Sequence, residues 1–207
     1  MTLASRRHWV FDMDGTLTLA VHDFPAIRRA LDIPENADIL GHLASLPEQE
    51  SRAKHAWLLE HERELAGISR PAPGAVALVR QLRDQGCELG ILTRNARELA
   101  WVTLRAIGLD DCFTPAEVLG RDEAKPKPDP DGLYRLAALW HAAPERLVMV
   151  GDGVHDLDAG RRAGAYTVLV NRAEGHDPRS TPPWPELVDL EVRDCAALAA
   201  ALRHSSG

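Results

Sequence analysis

Two aspartates that flank a single methionine follow the first apolar run of the sequence. Asp12 and Asp14 stand where a buried strand would end, and Gly15 follows them. In an extended segment, side chains two residues apart point to the same face, so both carboxyl groups can reach one reacting group. One carboxylate can attack phosphorus, while the other protonates the leaving oxygen and later takes a proton from water. The pattern predicts Asp12 as a nucleophile and Asp14 as a general acid and base.

Polar residues also follow the second and third apolar runs. Thr93 and Arg94 come directly after one run, and Asp152 lies in a Gly-Asp-Gly sequence after the other, with Asp156 four residues later. Ligands of an open parallel sheet bind beyond the carboxyl ends of its strands, so these residues are expected to meet at one edge. The guanidinium of Arg94 could bind a phosphate or carboxylate of a substrate, and a surface ion pair is an equal alternative.

The acidic residues of this edge suit a hard divalent cation. Mg²⁺ usually binds one or two carboxylates, several waters and a substrate phosphate, and Asp12 and Asp152 could supply the carboxylates. The metal and an ammonium group would offset the repulsion between a phosphate dianion and a carboxylate nucleophile. Lys125 and Lys127, in the sequence Lys-Pro-Lys-Pro, are the candidates for that ammonium group. The predicted cofactor is Mg²⁺.

Short apolar runs and helical spacing alternate along most of the chain. Runs rich in β-branched residues predict strands over residues 8–13, 87–92, 147–150 and 165–170. Apolar residues three and four apart predict helices over residues 76–82, 99–106 and 133–140. This alternation is typical of an α/β fold with a doubly wound parallel sheet.

The stretch over residues 20–70 interrupts the alternation. Its pattern is helical throughout, and its second half is rich in glutamate without a strand signal. We interpret it as an inserted small all-helical cap on a catalytic core formed by residues 1–19 and 71–207. Residues 174–185 contain four prolines and predict an extended loop before a short final helix over residues 195–202.

Composition argues against several classes of partner. The net charge is −7, and the 24 Lys and Arg residues form no stripe that could follow nucleic acid. No apolar stretch approaches the roughly 18 residues that span a membrane, and the N-terminus lacks the apolar core of a signal peptide. Three cysteines without a Cys-x-x-Cys pair argue against a disulfide framework. We predict a cytoplasmic protein with a small phosphorylated metabolite as its partner, and the sequence leaves its oligomeric state open.

Taken together, the motifs resemble those of the haloacid dehalogenase superfamily, in particular its subfamily IA phosphatases with a small helical cap of the C1 type. They occur in the superfamily's order: Asp12-Met13-Asp14-Gly15-Thr16, then Thr93, then a lysine before Pro-x-Pro, then Gly151-Asp152-x-x-x-Asp156. The four motifs cover the chain except for the cap and the tail.

The resemblance implies an aspartyl-phosphate intermediate on Asp12. It also implies that Mg²⁺ is held by Asp12, the main-chain carbonyl of Asp14 and Asp152, and that Asp156 lies beside the metal or the lysine as a further candidate ligand. Thr93 and the lysine would bind the transferring phosphoryl group.

The lysine of the third motif can be placed in two registers. In relatives, this lysine precedes a helix whose first apolar residue comes six positions later. Counting from Lys127 reaches Leu133, whereas counting from Lys125 reaches Asp131. We therefore choose Lys127 and keep Lys125 as the alternative.

Some positions depart from the commonest family pattern or lie beside it. Gly153 stands where serine is usual, and Leu19-Ala20 replace a frequent Asp-Ser pair. Both changes leave the catalytic groups in place and weaken inference of the substrate by analogy. His155 could contact a substrate, as could three residues of the cap, although a solvent-facing position is the more common role of such residues; the three are His42, Arg52 and Lys54.

The predicted function is Mg²⁺-dependent hydrolysis of a small-molecule phosphate monoester. The alternatives are a sugar phosphomutase with the same constellation, a 2-haloacid dehalogenase and a non-enzymatic switch that is phosphorylated on aspartate. Dehalogenation needs no acid at the position of Asp14, so that residue argues against it. The cap argues against a simple switch.

Overall fold

A six-stranded parallel sheet forms the centre of the computed structural model, which describes residues 2–19, 24–172 and 184–204. The strands follow one another across the sheet in the order β3-β2-β1-β4-β5-β6. Their bounds are β1 His8–Phe11, β2 Glu88–Leu92, β3 Val118–Leu119, β4 Leu147–Gly151, β5 Tyr166–Val170 and β6 Leu190–Val192. The predicted α/β fold with a parallel sheet is confirmed.

The central strand β1 lies between β2 and β4, and the three strands end at nearly the same level. Phe11, the last residue of β1, is paired with Ile91 of β2 and with Val150 of β4. The segments that leave these strands therefore begin side by side at one edge of the sheet. This register is what brings sequence-distant polar residues together.

Helices cover both faces of the sheet, which explains why the strands are apolar without alternation. The first face packs Trp9 and Phe11 against one set of helices, and the second packs Val10 and Met149 against another. The helices of the first face are α4 Ala75–Asp84, α5 Arg97–Ala106 and α8 Cys195–His204. Those of the second are α6 Asp131–Leu139 and α7 Val154–Ala163.

Two edge strands were not predicted from the sequence. Strands β3 and β6 are two and three residues long, which is too short for an apolar pattern to be recognised. The predicted tail loop over residues 174–185 lies largely outside the described residues. The final helix was predicted over residues 195–202 and extends over Cys195–His204.

Three helices occupy the segment that we interpret as a cap, namely α1 Phe24–Ala30, α2 Ile39–Ser45 and α3 Glu48–Gly67. They enclose a small apolar cluster of their own that includes Ile27, Leu43 and Leu58. The division of the chain into core and cap stays a prediction.

The segments that connect these helices to the sheet run beside each other. The Leu19 amide donates a hydrogen bond to the Arg70 carbonyl at 3.0 Å, and the Ala72 amide donates to the Leu17 carbonyl at 2.8 Å. The two linkers therefore form one short paired connection. In the described part of the chain, no helix is long and apolar enough to cross a membrane.

Candidate active site

The loop that follows β1 turns sharply around Gly15. Asp12 continues the strand, since its amide donates to the Val150 carbonyl at 2.9 Å. Gly15 has a φ of +84°, and a Cβ atom there would lie 2.0 Å from Asp152 Oδ2. Glycine is thus required both by the backbone angle and by the close approach of this carboxyl group. The turn places Asp12 and Asp152 in one site.

Lys127 is buried between two carboxylates. Its Nζ lies 2.6 Å from Asp12 Oδ1 and 2.6 Å from Asp156 Oδ1, and its side chain is 2% exposed. Lys125, the other register of the third motif, is 71% exposed and lies 3.8 Å from Asp129. The structure therefore brings Lys127, and not Lys125, to Asp12.

Asp156 holds this lysine from the first turn of α7. Its Oδ1 pairs with Lys127, and its Oδ2 accepts a hydrogen bond from the Gly153 amide at 3.1 Å. Gly151 makes room for it, because a Cβ at position 151 would lie 2.3 Å from the Asp156 Cβ. A Cβ atom at position 153 would lie 3.4 Å from Asp156 Oδ2, which is an ordinary contact distance. The space at this position would therefore also accommodate the serine that is usual there.

Three carboxyl groups converge where the strands end. Asp12, Asp152 and Asp156 each offer an oxygen, and these atoms lie within 4.8 Å of one another. Lys127 pairs with Asp12 and Asp156, and the carboxyl groups of Asp14 and Asp152 line the same cavity. The site thus has an excess of negative charge, which a divalent cation would balance.

The pKa values in the site reflect burial and crowding of charge. Burial raises the pKa of Asp12 well above its usual range, the Lys127 ammonium opposes this, and Asp156 and Asp14 add to the increase. Burial alone would lower the pKa of Lys127, but Asp12 and Asp156 outweigh it, so its pKa is raised. The two carboxylates therefore favour the charged form of Lys127.

Asp152 is exposed to solvent, yet its carboxyl group packs against the turn at Gly15. Loss of hydration, followed by repulsion from Asp156, raises the pKa of Asp152 to about 6. Arg172 and Lys127 partly oppose this increase. A cation bound at this carboxylate would replace the missing positive charge.

The loop after β2 supplies Thr93 and an asparagine. Thr93 is 4% exposed, its amide donates to the Leu119 carbonyl at 3.0 Å, and its Oγ1 accepts from the Asn95 amide at 3.1 Å. Asn95 Nδ2 donates to Asp14 Oδ2 at 2.6 Å. Asn95 was given no role in the sequence analysis; its signal was its place three residues beyond Leu92, the last residue of β2.

A cavity of about 360 Å³ opens above these groups and is bounded on its other side by the predicted cap. Arg94 lies in its wall, with Nη2 3.4 Å from Asp38 Oδ1. Arg121 lies there too, with Nη1 3.5 Å from Glu62 Oε2. The cavity also meets apolar residues of the helical segment, which are Ile27, Ile39, Leu40 and Leu58. All seven predicted site residues, namely Asp12, Asp14, Thr93, Arg94, Lys127, Asp152 and Asp156, line this one cavity.

Comparison with known proteins identifies the family. A model described as a haloacid dehalogenase-like hydrolase matches residues 7–164. The chain belongs to this family. An uncharacterized hydrolase of Saccharomyces cerevisiae is 32% identical over 205 residues, which cover 94% of this chain and 90% of the yeast protein. Pyrophosphatase PpaX of Halalkalibacterium halodurans is 33% identical over 131 residues, or 59% of this chain and 60% of that protein.

The fold of this haloacid dehalogenase-like hydrolase is shared with solved structures. The crystal structure of a hydrolase from Pseudomonas syringae aligns with a TM-score of 0.75 at 24% identity, over 96% of this chain and 99% of that one. The family resemblance that the four motifs indicated is confirmed.

The residues of the helical segment that line the cavity differ from those considered in the sequence analysis. Among the lining residues that the structure describes, His155 is present, whereas His42, Arg52 and Lys54 are not. Arg28, Asp38 and Glu62 line it instead. Side-chain direction along a helix depends on how the helix packs, and polar composition alone does not reveal it.

Arg172 is a further residue that sequence reasoning missed. It follows β5 after one intervening residue, and its Nη2 donates to the Thr18 carbonyl at 3.1 Å. Its charge lowers the pKa of Asp152 against the effect of burial. The signal was present, because the fourth predicted strand, like the other three, is followed by a group that can act at this edge.

Proposed function

We propose that this protein is a Mg²⁺-dependent phosphatase that hydrolyses a small phosphate monoester through an aspartyl phosphate on Asp12. The observation that carries the proposal is the contact of Lys127 with Asp12 beside Asp14 at the floor of a cavity. A buried ammonium group within 2.6 Å of a carboxylate can hold phosphoryl oxygens close to that nucleophile.

The donor set fits Mg²⁺. Asp12 and Asp152 offer carboxylate oxygens within one cluster, and the Asp14 carbonyl belongs to the same turn. Asp156 offers an oxygen to the same cluster and also holds Lys127 beside Asp12. When bound, the cation would supply Lewis-acid stabilisation of the charge on the phosphoryl oxygens.

In the first half of the proposed reaction, an Asp12 carboxylate oxygen attacks phosphorus. A bond forms between that oxygen and phosphorus, and the bond from phosphorus to the leaving oxygen breaks with its electron pair on the oxygen. Asp14 donates a proton to this oxygen, and the alcohol departs. Lys127 and Thr93 hold the phosphoryl oxygens during the transfer.

In the second half, the oxygen of a water molecule attacks the aspartyl phosphate. Asp14, now ionised, takes a proton from the water as the new oxygen-to-phosphorus bond forms. The bond between phosphorus and the Asp12 oxygen breaks, which releases inorganic phosphate and restores both carboxyl groups. The enzyme therefore returns to its starting protonation state.

The substrate is proposed to be a small phosphorylated metabolite. A volume of about 360 Å³ lies at the lower end of the range of ligand pockets. Arg94 lies in the cavity wall next to Thr93, and its exposed contact with Asp38 can be exchanged for a substrate anion at small cost. The relative named a pyrophosphatase supports phosphorus as the centre of attack.

The test is release of inorganic phosphate from a panel of phosphate esters and pyrophosphate, with Mg²⁺ or with a chelator. Wild-type protein should release phosphate only with the metal, and Asp12→Asn should abolish release. Asp158→Asn is the matched control, because Asp158 pairs with Arg162 on the surface of α7. Normal turnover by Asp12→Asn would refute the proposal. Isomerisation of a hexose phosphate without phosphate release would instead indicate the mutase reaction.

A further inference from the structure

Asn95 contacts both the proposed proton carrier and the residue that holds the phosphoryl group. Its side-chain Nδ2 lies 2.6 Å from Asp14 Oδ2, across 81 residues of sequence. Its main-chain amide donates to Thr93 Oγ1 at 3.1 Å. A single residue thus links the first and second motifs of the site.

The main chain of Asn95 is itself fixed from the opposite side. Its carbonyl accepts a hydrogen bond from the Arg121 amide at 2.9 Å. Gly120 packs so closely that a Cβ atom there would lie 2.6 Å from the Asn95 carbonyl oxygen. The loop after β2 is therefore held between Thr93 and residues 120–121. A side chain on a held loop can aim its amide group with little loss of entropy on reaction.

The chemistry of an amide group decides what this contact does. An NH₂ group only donates hydrogen bonds, so Asp14 Oδ2 must accept. The contact also holds the carboxyl plane in one orientation, which general acid catalysis requires within hydrogen-bond reach of the reacting oxygen.

We propose that Asn95 is a positioning residue that holds the Asp14 carboxyl group through Oδ2 and orients it for proton transfer. The inference rests on the proposed phosphatase function. In the forward step, the proton of the Asp14 carboxyl group passes to the leaving oxygen as the bond from phosphorus to that oxygen breaks. In the second step, the Asp14 carboxylate takes a proton from the attacking water as the aspartyl phosphate is cleaved. Asn95 exchanges no proton in either step.

Substrates that differ only in their need for a proton test this role. An alkyl phosphate has a poor leaving group that must be protonated, whereas p-nitrophenyl phosphate has a leaving group that departs as an anion. Asn95→Ala should lower kcat/KM for an alkyl phosphate on the order of 10²-fold, the contribution of a positioned general acid. The same variant should change kcat/KM for p-nitrophenyl phosphate by less than about fivefold, because the first step there needs no acid.

The second step gives an independent readout with the aryl substrate. Loss of the oriented base should slow hydrolysis of the aspartyl phosphate, so kcat for p-nitrophenyl phosphate falls while kcat/KM is retained. Acid-quenched samples should then contain more phosphoenzyme than wild-type samples. Damage to the site as a whole would lower kcat/KM for both substrates together.

Two further variants separate orientation from folding. Asn95→Asp keeps the shape of the side chain and removes the donor, so it should show at least the loss seen with Asn95→Ala. Asp14→Asn should show the same dependence on the leaving group, and adding Asn95→Ala to it should cause little further loss. Asn36→Ala, a matched change at an exposed position outside the cavity lining, should behave as wild type.

Equal losses on both substrates, retained activity of Asn95→Asp, or additive effects with Asp14→Asn would overturn the role of Asn95. A wild-type protein that is inactive on both esters would instead contradict the proposed function. The two failures are therefore distinguishable from the wild-type measurement alone.

Discussion

Lys127 donates a 2.6 Å hydrogen bond to Asp12 although the two residues are 115 positions apart in the chain. Asp12 directly follows the central strand β1, and Lys127 lies in the loop before α6, so the contact joins the end of β1 to that loop. Lys127 also pairs with Asp156, so one ammonium group satisfies two buried carboxylates.

Removal of this ammonium group should destabilise the folded protein. Lys127→Met keeps the length of the side chain and leaves Asp12 and Asp156 without their cation. Breaking a buried pair on one side costs about 3–5 kcal/mol, so the free energy of unfolding in metal-free buffer at pH 7 should fall by about that amount. Urea denaturation measures it. Lys125→Met, at the exposed alternative, should change stability by less than about 0.5 kcal/mol; equal losses would contradict the assignment of Lys127.

Mg²⁺ should stabilise the protein more at pH 7 than at pH 5. The pKa of Asp152 is raised to about 6 from an ordinary 3.8, so below pH 6 a proton competes with the cation. Between about pH 4 and pH 6, Asp152 keeps its proton in the folded metal-free protein and has lost it in the unfolded chain. The contribution of Asp152 to the stability of the metal-free protein therefore falls as the pH rises through this range. Bound metal offsets that loss.

The measurement is the increase in Tm on adding Mg²⁺ at a series of pH values. The increase should be small at pH 5 and should approach its full size above pH 7. Asp152→Asn should remove most of it, while Asp158→Asn should retain it. A Tm increase that does not vary with pH, or that survives in Asp152→Asn, would show that the cation binds elsewhere.

Gly15→Ala should abolish activity and the Tm increase caused by Mg²⁺. The new methyl group meets Asp152 Oδ2 at 2.0 Å, and the residue must also keep a φ of +84°. Two controls separate these effects. Gly86 has a φ of +71°, but an added Cβ atom there would meet no neighbouring atom. Gly86→Ala should therefore lower the free energy of unfolding by about 1–2 kcal/mol and leave activity intact. Gly67→Ala has open space without a positive φ and should behave as wild type.

Much of the site could be predicted because its residues stand at strand ends. Asp12, Thr93 and Asp152 follow three buried strands, and a parallel sheet brings such ends together whatever their distance in sequence. The choice of Lys127 over Lys125 used the start of the next helix, and the structure brings Lys127 to the acidic cluster.

The parts that were missed depend on contacts that a single chain does not display. Asn95 acquires its role only when its amide meets Asp14, and Arg172 only when its guanidinium reaches Thr18. Strands β3 and β6 are too short to show an apolar pattern in the sequence. Only their pairing with β2 and β5 identifies them as strands. Which residues of the helical segment face the cavity depends on how its three helices pack, and polar composition does not determine this packing.

Arg94→Ala should weaken substrate binding more than it slows chemistry. Arg94 lines the cavity with a side chain that is 48% exposed, and its contact with Asp38 at 3.4 Å contributes little on its own. A charge-assisted hydrogen bond to a second anionic group of the substrate contributes about 1.5–3 kcal/mol, so its loss should raise KM at least tenfold for esters that carry such a group. Esters without one should change little, and kcat should stay within a few-fold for both.

The matched comparison is Arg52→Ala, because Arg52 belongs to the cap segment, is 77% exposed and pairs with Glu48. Arg52 is absent from the described cavity lining, so its removal should leave both KM and kcat unchanged. Steady-state kinetics on paired substrates, one with a carboxylate in the leaving group and one with a hydroxyl in its place, separates the outcomes. An equal rise in KM for both members of a pair would mean that Arg94 shapes the cavity but does not bind the carboxylate of the substrate. A rise with Arg52→Ala would place the substrate against a different face of the helical segment.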